Sequence, residues 1–182
     1  MKTISEHVLD ILQNSVRARA TLIEIIVVEN KKNDLYLLEI KDNGCGMSSE
    51  TLEKATNPFF TSRNTRKVGL GLSLLKQNAG QANGRFQIIS EENKGTEVKA
   101  VFQLSHIDRP PLGDIWNTWY LTLISNENLQ LVYRHKTESG EFVFDSEEIK
   151  ITLGEVSLKQ KEIREAVLEM FKYNLKEINS TP

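Results

Sequence analysis

Apolar and polar positions along the first part of the chain recur with two different periods. Over residues 6–19 apolar side chains return every three or four positions, which predicts an amphipathic helix with Ser5 as its N-cap. Residues 22–29 and 35–41 are rich in apolar and β-branched side chains, and a polar turn separates them. These two segments predict a pair of antiparallel strands.

The pattern then predicts a short helix over residues 49–55, a loop over 57–69 and a helix over 71–81. Residues 85–90 and 96–104 predict a hairpin of two strands. Helices with one apolar face and a sheet with one apolar face bury these faces against each other. We therefore expect an α/β fold, specifically a two-layer α/β sandwich.

Two adjacent prolines within residues 106–114 interrupt this pattern. Beyond them a long helix is predicted, which opens at a capping box starting at Ser157 and continues to about Ile178. Its apolar stripe needs cover, either from a small sheet of its own part or from another chain. Strands are predicted near residues 118–124, 130–135, 141–145 and 150–153.

The chain is thus expected to have two parts, a domain over residues 1–105 and an α+β extension over 106–182. The extension has no Gly-rich phosphate loop and no nucleophile beside a base, so its role stays open. Aromatic side chains dominate binding energy where they enter a partner's pocket. Trp116, Trp119 and Tyr120 are therefore candidates for a contact surface with a protein partner.

Composition narrows the class of protein. The hydrophobic fraction of 39% and the charged fraction of 26% are typical of a globular protein, and a net charge of −2 gives no reason to expect nucleic-acid binding. One cysteine excludes a disulfide framework. No segment approaches the roughly 20 apolar residues that span a bilayer. We expect a cytoplasmic protein that does not enter the membrane.

The most informative motif follows the second strand, where residues 42–47 read Asp-Asn-Gly-Cys-Gly-Met. Such a turn can place a carboxylate where it accepts a hydrogen bond from the exocyclic amine of adenine, although Asp-Asn-Gly is also ordinary turn chemistry. Three further segments accompany it in order: Asp-Ile-Leu-Gln-Asn at 10–14, Gly-Leu-Gly-Leu at 69–72 and Lys-Gly-Thr-Glu at 94–97.

These four segments, over residues 4–104, resemble the GHKL superfamily of gyrase, heat-shock chaperone, histidine kinase and mismatch-repair ATPases. Residues 9–21 are similar to the mismatch-repair branch, whereas residues 57–63 and 69–76 are similar to sensor histidine kinases. The resemblance implies the Bergerat ATP-binding fold. Its most similar branch is the ATP-binding domain of histidine kinases.

The resemblance also implies roles on the first helix. Asn14 would coordinate a Mg²⁺ ion on the triphosphate, and Arg17, one turn later, would contact the phosphates. Asp10 stands where ATP-hydrolysing branches carry a glutamate, so it would act as a general base or orient Mg²⁺ through a water. The alternatives are a helix asparagine bonded to backbone and a solvated surface arginine.

Other positions would form the walls of the nucleotide site. Asp42 would accept from adenine, Gly44, Gly46 and Met47 would shape the pocket, and Thr96 would support the base. Glycines at the start of a helix would let backbone N–H groups approach phosphate. The residues carried over for the lid and that helix are Phe60, Lys67, Gly69, Leu70, Gly71 and Leu72.

We therefore expect an ATP- and Mg²⁺-binding protein that phosphorylates or regulates a protein partner in signalling. The first helix starts almost at residue 1, so the phosphoacceptor histidine is expected on another protein. Two alternatives stay open, a slow Mg²⁺-dependent ATPase used as a conformational switch and a non-catalytic, anti-sigma-like regulator. A second copy of the chain, forming a homodimer, is a further candidate partner.

Overall fold

The computed structural model of the protein describes residues 1–55 and 71–181. These residues form six helices and six strands, and none of the described helices is long and apolar enough to cross a membrane. The helices are α1 (Ile4–Arg17), α2 (Ser49–Lys54), α3 (Gly71–Gln81), α4 (Ile115–Ser125), α5 (Ser146–Leu153) and α6 (Lys161–Glu177). The strands are β1 (Leu22–Asn30), β2 (Leu35–Asp42), β3 (Arg85–Glu91), β4 (Gly95–Gln103), β5 (Gln130–Thr137) and β6 (Gly140–Asp145).

The described strands form a single mixed sheet in the order β3-β4-β2-β1-β5-β6. Strand β5 runs parallel to β1, and the other neighbouring strands are antiparallel. The predicted α/β sandwich is confirmed, and the C-terminal part adds its two strands to the same sheet. The helices and strands of the first 105 residues begin and end within two residues of their predicted bounds wherever the structure describes them.

The core lies between the sheet and the helices. Alternate side chains of β1, Ile23, Ile25 and Val27, are fully buried because successive residues of a strand point to opposite faces. They belong to one apolar cluster that also contains Val8 of α1 and Phe171 of α6. Sheet and core thus run across residue 105 without a break. As a division of function, the boundary between 1–105 and 106–182 stays a prediction.

Helix α1 begins two residues earlier than predicted. Thr3 is its N-cap, and the Thr3 hydroxyl accepts a hydrogen bond from the N–H of Glu6 at 3.3 Å. Ser5, the predicted cap, is buried instead and pairs with the Thr3 hydroxyl at 2.9 Å. Two hydroxyl residues stand next to the helix start, and the sequence pattern indicated the wrong one.

The predicted strand over 118–124 is wrong, because this segment lies within α4. Asp114 caps the helix by accepting from the N–H of Asn117 at 3.3 Å. The segment is rich in aromatic and β-branched residues, which favour strands. The helix nevertheless forms because it is buried, and a largely apolar helix is stable when its surroundings cover it.

The predicted strand over 150–153 is also wrong, since α5 occupies it. Asp145, at the end of β6, caps this helix by accepting from the N–H of Glu147 at 2.9 Å. The predicted capping box at Ser157 does not open α6, which begins four residues later. The Ser157 hydroxyl accepts from the N–H of Lys159 at 3.2 Å and forms a local turn.

The proposed aromatic contact surface is wrong for Trp119 and Tyr120, whereas Trp116 is half-buried and its role stays a prediction. Trp119 and Tyr120 are 0% and 1% exposed, and the Trp119 ring packs edge-on against Phe144 with centroids 5.0 Å apart. The stripe of α6 is covered by the chain itself through Val167, Phe171 and Leu175. Of the two predicted alternatives, packing within the chain is therefore the one observed for these residues.

A buried polar network ties the C-terminal segment to the sheet. Glu29 Oε1 lies 2.9 Å from His135 Nε2, and Tyr133 Oη lies 2.8 Å from His135 Nδ1. The N–H of Thr181 donates to both Glu29 oxygens at 2.9 and 3.0 Å, and its hydroxyl donates to one of them at 2.9 Å. The Glu29 carboxylate is therefore multiply hydrogen-bonded where water is excluded.

Candidate functional site

Asp42 lies at the end of β2, where the chain turns away from the sheet. Its Oδ1 atom accepts from the N–H of Gly44 at 2.9 Å, and its Oδ2 atom accepts from the Ser15 hydroxyl at 2.6 Å. Two hydrogen bonds on different oxygens hold the carboxylate in one orientation. A carboxylate has about four acceptor positions, so Asp42 can still accept from a further donor such as an exocyclic amine.

Asn43 fixes the turn that carries Asp42. Its Oδ1 atom accepts from the backbone N–H groups of Thr21 and Leu22 at 2.9 and 3.0 Å. Its Nδ2 atom donates to the Thr21 hydroxyl at 2.9 Å. The turn is thereby attached to the start of β1.

Two glycines let the turn pack closely on the β3–β4 hairpin. Gly46 has φ +63°, and a Cβ there would lie 2.0 Å from the carbonyl oxygen of Glu91. Gly95 has φ +94°, and a Cβ there would lie 1.9 Å from the carbonyl oxygen of Asp42. Both positions combine a left-handed backbone with a close approach that excludes other residues. Met47, which follows the turn, is half-buried.

Thr96 stands directly opposite Asp42 in the pairing of β2 with β4. Its hydroxyl lies 2.9 Å from the Ser90 hydroxyl, which itself donates to the carbonyl of Gly95 at 2.9 Å. Because Ser90 has only one hydroxyl hydrogen, Thr96 is the donor of this pair and keeps its lone pairs as acceptors. Thr96 thus lies beside Asp42, and its predicted role in supporting the base stays a prediction.

The exposed side of α1 carries a chain of polar contacts. Asn14 Nδ2 donates to Asp10 Oδ2 at 3.3 Å, and Arg17 donates to Asn14 Oδ1 at 2.9 Å and to Gln13 Oε1 at 3.4 Å. The spacing of three and four residues places these side chains on one helix face. Ser15, which follows Asn14, reaches the Asp42 carboxylate, so α1 connects the predicted phosphate and adenine residues.

The N-terminal end of α3 packs on the same face of α1. Gly71 is buried against the Asp10 carboxylate, and Leu72 is half-buried against the core. The structure therefore brings together Asp10 and Gly71, two of the residues predicted for the nucleotide site. The predicted positions Phe60, Lys67, Gly69 and Leu70 lie outside the described residues.

His7 forms a second contact between these helices. Its Nε2 atom lies 2.9 Å from Asn78 Nδ2 on α3, and the side chain is 1% exposed. Burial lowers the pKa of His7 from 6.5 to about 4, and the N-terminal amino group acts in the same direction. A buried, neutral histidine that joins two helices has a structural role.

The oxygen donors near Asn14 suit Mg²⁺ rather than a metal held by the protein alone. Among residues 1–55 and 71–181, no three His, Cys, Asp or Glu side chains form a metal-binding group. Asn14 and Asp10 offer amide and carboxylate oxygens, and Mg²⁺ commonly completes such a set with phosphate oxygens and waters. The amide oxygen of Asn14 has a second lone pair besides the one that faces Arg17.

Sequence reasoning missed three residues that build this site, namely Ser15, Asn43 and Ser90. Ser15 directly follows one motif, and its partner Asp42 is 27 residues away along the chain. Asn43 lies inside another motif, and its partners Thr21 and Leu22 are 22 and 21 residues away. The only local signal was Asn43 in an Asp-Asn-Gly turn, since asparagine side chains readily bond to backbone. Ser90 had no signal apart from its place in a predicted strand.

The comparison with known families shows the class of protein to which this α/β sandwich belongs. Residues 2–106 match the family described as histidine kinase-, DNA gyrase B- and HSP90-like ATPase. The chain belongs to this family. The superfamily resemblance inferred from the four motifs is thereby confirmed.

Several relatives carry the names of sensor proteins or sensor kinases. A Shewanella frigidimarina protein with a sensor-protein name is 41% identical over 107 residues, which are 58% of this chain and 16% of the relative. The Bacillus subtilis sensor histidine kinase YvrG is 32% identical over 99 residues, which are 52% of this chain and 17% of that kinase. The chain thus matches about one sixth of the length of these relatives.

Solved structures support the fold. The ATPase domain of Aquifex aeolicus MutL, complexed with ADP, matches with a TM-score of 0.51 and 19% identity over 93% of this chain and 70% of that one. The N-terminal domain of a DNA repair protein matches with a TM-score of 0.58 and 18% identity over 80% of this chain and 53% of that one. At these identities the likeness concerns the fold alone.

Proposed function

We propose that this chain binds Mg²⁺-ATP at the end of the sheet marked by Asp42 and phosphorylates or regulates a protein partner in signalling. The observation that carries the proposal is the Asp42 carboxylate, held by Ser15 and Gly44 beside Thr96. The names of two relatives, a sensor protein and a sensor histidine kinase, support this proposal, as does the ADP in the MutL complex.

Asp42 recognises adenine in this proposal by accepting a hydrogen bond from the exocyclic amine. Guanine carries an oxygen at that ring position, so two acceptors would face each other. A buried polar group that loses its partner costs about 1–3 kcal/mol. The site should therefore prefer ATP to GTP, with the Thr96 hydroxyl as an acceptor beside the base.

The phosphates extend from Asp42 along α1 in this proposal. Asn14 and Asp10 would hold Mg²⁺, which when bound neutralises phosphate charge and aligns the phosphates. Arg17 lies one turn beyond Asn14 and donates its guanidinium hydrogens there. Phosphoryl transfer depends mostly on such positioning and charge stabilisation, so a partner could supply the nucleophile.

A slow ATPase that switches conformation is the second candidate. It is favoured by Asp10, a carboxylate on the α1 face that carries Asn14. A general base must come within hydrogen-bond reach of its water. Aspartate is shorter than the glutamate of ATP-hydrolysing branches, so we expect turnover to be slow. In a non-catalytic regulator, no turnover would occur.

Nucleotide binding by the whole chain tests the proposal. In titration calorimetry with Mg²⁺-ATP, Asp42→Asn should weaken binding at least about tenfold, because loss of a hydrogen bond to a charged group costs about 1.5–3 kcal/mol. Asp108→Asn is the matched control, because the Asp108 side chain is 66% exposed. Circular dichroism should show that both variants stay folded. Equal binding by wild type and Asp42→Asn would contradict the site assignment.

The fate of γ-labelled ATP separates the candidate activities. Label transferred to an added protein indicates a kinase, release as inorganic phosphate indicates an ATPase, and intact ATP indicates a regulator. The pure chain should not label itself on His7 or His135, because both side chains are buried. Acid-labile label on either residue of the pure chain would contradict this expectation.

A further inference from the structure

Gly71 lies directly against a residue of α1, Asp10. A Cβ at this position would lie 1.8 Å from Asp10 Oδ2 and 2.5 Å from Asp10 Cγ. Both distances are far below the van der Waals contact of about 3.5 Å. The backbone φ of Gly71 is outside the left-handed region, so backbone conformation does not require glycine here. In the orientation that it has in the structure, the Asp10 carboxylate therefore occupies the space that a side chain at position 71 would need.

The same helix contains a glycine without this constraint. Gly80 lies near the other end of α3, and no atom comes within 4 Å of a Cβ built there. The requirement for glycine is thus local to the contact between α3 and Asp10. The two glycines form a natural comparison, because a substitution by alanine makes the same chemical change in one helix.

We propose that Asp10 is a positioning residue that sets how closely the N-terminal end of α3 approaches α1. A carboxylate near a helix N-terminus interacts favourably with the helix dipole. The oxygen that lies against Gly71, Oδ2, also accepts from Asn14 Nδ2 at 3.3 Å. One carboxylate oxygen therefore joins the end of α3 to the predicted Mg²⁺ ligand.

This inference rests on the proposed function, because it concerns the geometry of the same nucleotide site. From the sequence, glycine at position 71 was expected to let the backbone approach phosphate. The contact with Asp10 gives a different reason for glycine at this position. On the structural view, the steric partner of Gly71 is Asp10. Phosphate would be affected only indirectly, through the distance between α3 and Asn14.

A mutant cycle between the two positions tests this view. Gly71→Ala should weaken Mg²⁺-ADP binding at least about tenfold in the wild-type background, a loss of about 1.4 kcal/mol. In an Asp10→Ala background the same substitution should change binding less than about threefold, because the overlapping atoms are gone. In an Asp10→Asn background the loss should persist, since asparagine keeps the volume. Gly80→Ala should bind ADP like wild type.

The free energy of unfolding in urea, measured on the same proteins, gives a readout that needs no nucleotide. Gly71→Ala should lower the free energy of unfolding more when position 10 is aspartate or asparagine than when position 10 is alanine. If wild type binds no ADP, the proposed function fails, and this unfolding cycle still tests the contact. If Gly71→Ala is unfolded, a folded Asp10→Ala/Gly71→Ala protein supports the proposal, and an unfolded one overturns it.

Two results would overturn the positioning role. An equal loss of ADP binding from Gly71→Ala in all three backgrounds would show that phosphate itself requires the glycine. No loss in any background would show that the contact between α3 and Asp10 does not set the site. Only a loss that depends on the volume at position 10 supports the proposal.

Discussion

Mild acid should destabilise this protein through His7, the buried histidine between α1 and α3. The pKa of His7 is about 4 in the folded chain, against an ordinary value of 6.5, chiefly because burial disfavours the imidazolium ion. Between these two values the unfolded chain binds a proton that the folded chain does not. The stability contributed by neutral His7 is therefore present above pH 6.5 and is lost as the pH falls towards 4.

The size of the effect follows from the two pKa values. The full difference corresponds to about 3 kcal/mol, and linkage places about 2 kcal/mol of it between pH 7.5 and pH 5. Because a domain is stable by only about 5–15 kcal/mol, this loss is large enough to measure. Below about pH 4 the His7 contribution should decrease no further.

Urea unfolding at about pH 7.5 and about pH 5 measures this contribution when wild type is compared with His7→Gln. Glutamine can accept the hydrogen bond from Asn78 but does not titrate, so the variant should lose about 2 kcal/mol less than wild type between the two pH values. His106→Gln is the control, because it removes a more exposed histidine. Equal losses in wild type and His7→Gln would refute the assignment.

Two further predictions concern the C-terminal part. His135→Ala should lower the free energy of unfolding by about 3 kcal/mol or more, because it leaves the buried Glu29 carboxylate without its histidine; a urea midpoint close to that of wild type would contradict this. A chain ending at Leu104 should show no cooperative urea transition, because it loses β5 and exposes the edge of β1. Cooperative unfolding and retained ADP binding by the truncated chain would contradict that expectation.

The parts of the fold that sequence predicted well are those that neighbouring residues determine. Alternation of buried and half-buried residues along β1 follows from strand geometry and is visible in the sequence pattern. Helical spacing likewise placed Asp10, Asn14 and Arg17 on one face, as their mutual hydrogen bonds show. Turn chemistry located Asp42 at the end of its strand.

The parts that sequence missed depend on partners far away along the chain. Local propensity favoured a strand over 118–124, but a helix forms there because neighbouring elements bury Trp119 and Tyr120 on both sides of it. The place of β5 beside β1 was equally hidden, since nothing local specifies a parallel neighbour roughly 100 residues away. The bond from Ser15 to Asp42 closes a gap of 27 residues for the same reason.

This long-range pairing matters for the candidate site, because β5 supports the turn that carries Asp42. The N–H of Gln130, the first residue of β5, donates to the carbonyl of Thr21 at 2.9 Å. The N–H of Thr21 in turn donates to Asn43 Oδ1 at 2.9 Å. The C-terminal part is therefore connected to the turn of Asp42 through Thr21 and the Asn43 side chain. A change at the start of β5 can reach the nucleotide site through these bonds, so we expect the role of residues 106–182 to include support for that site.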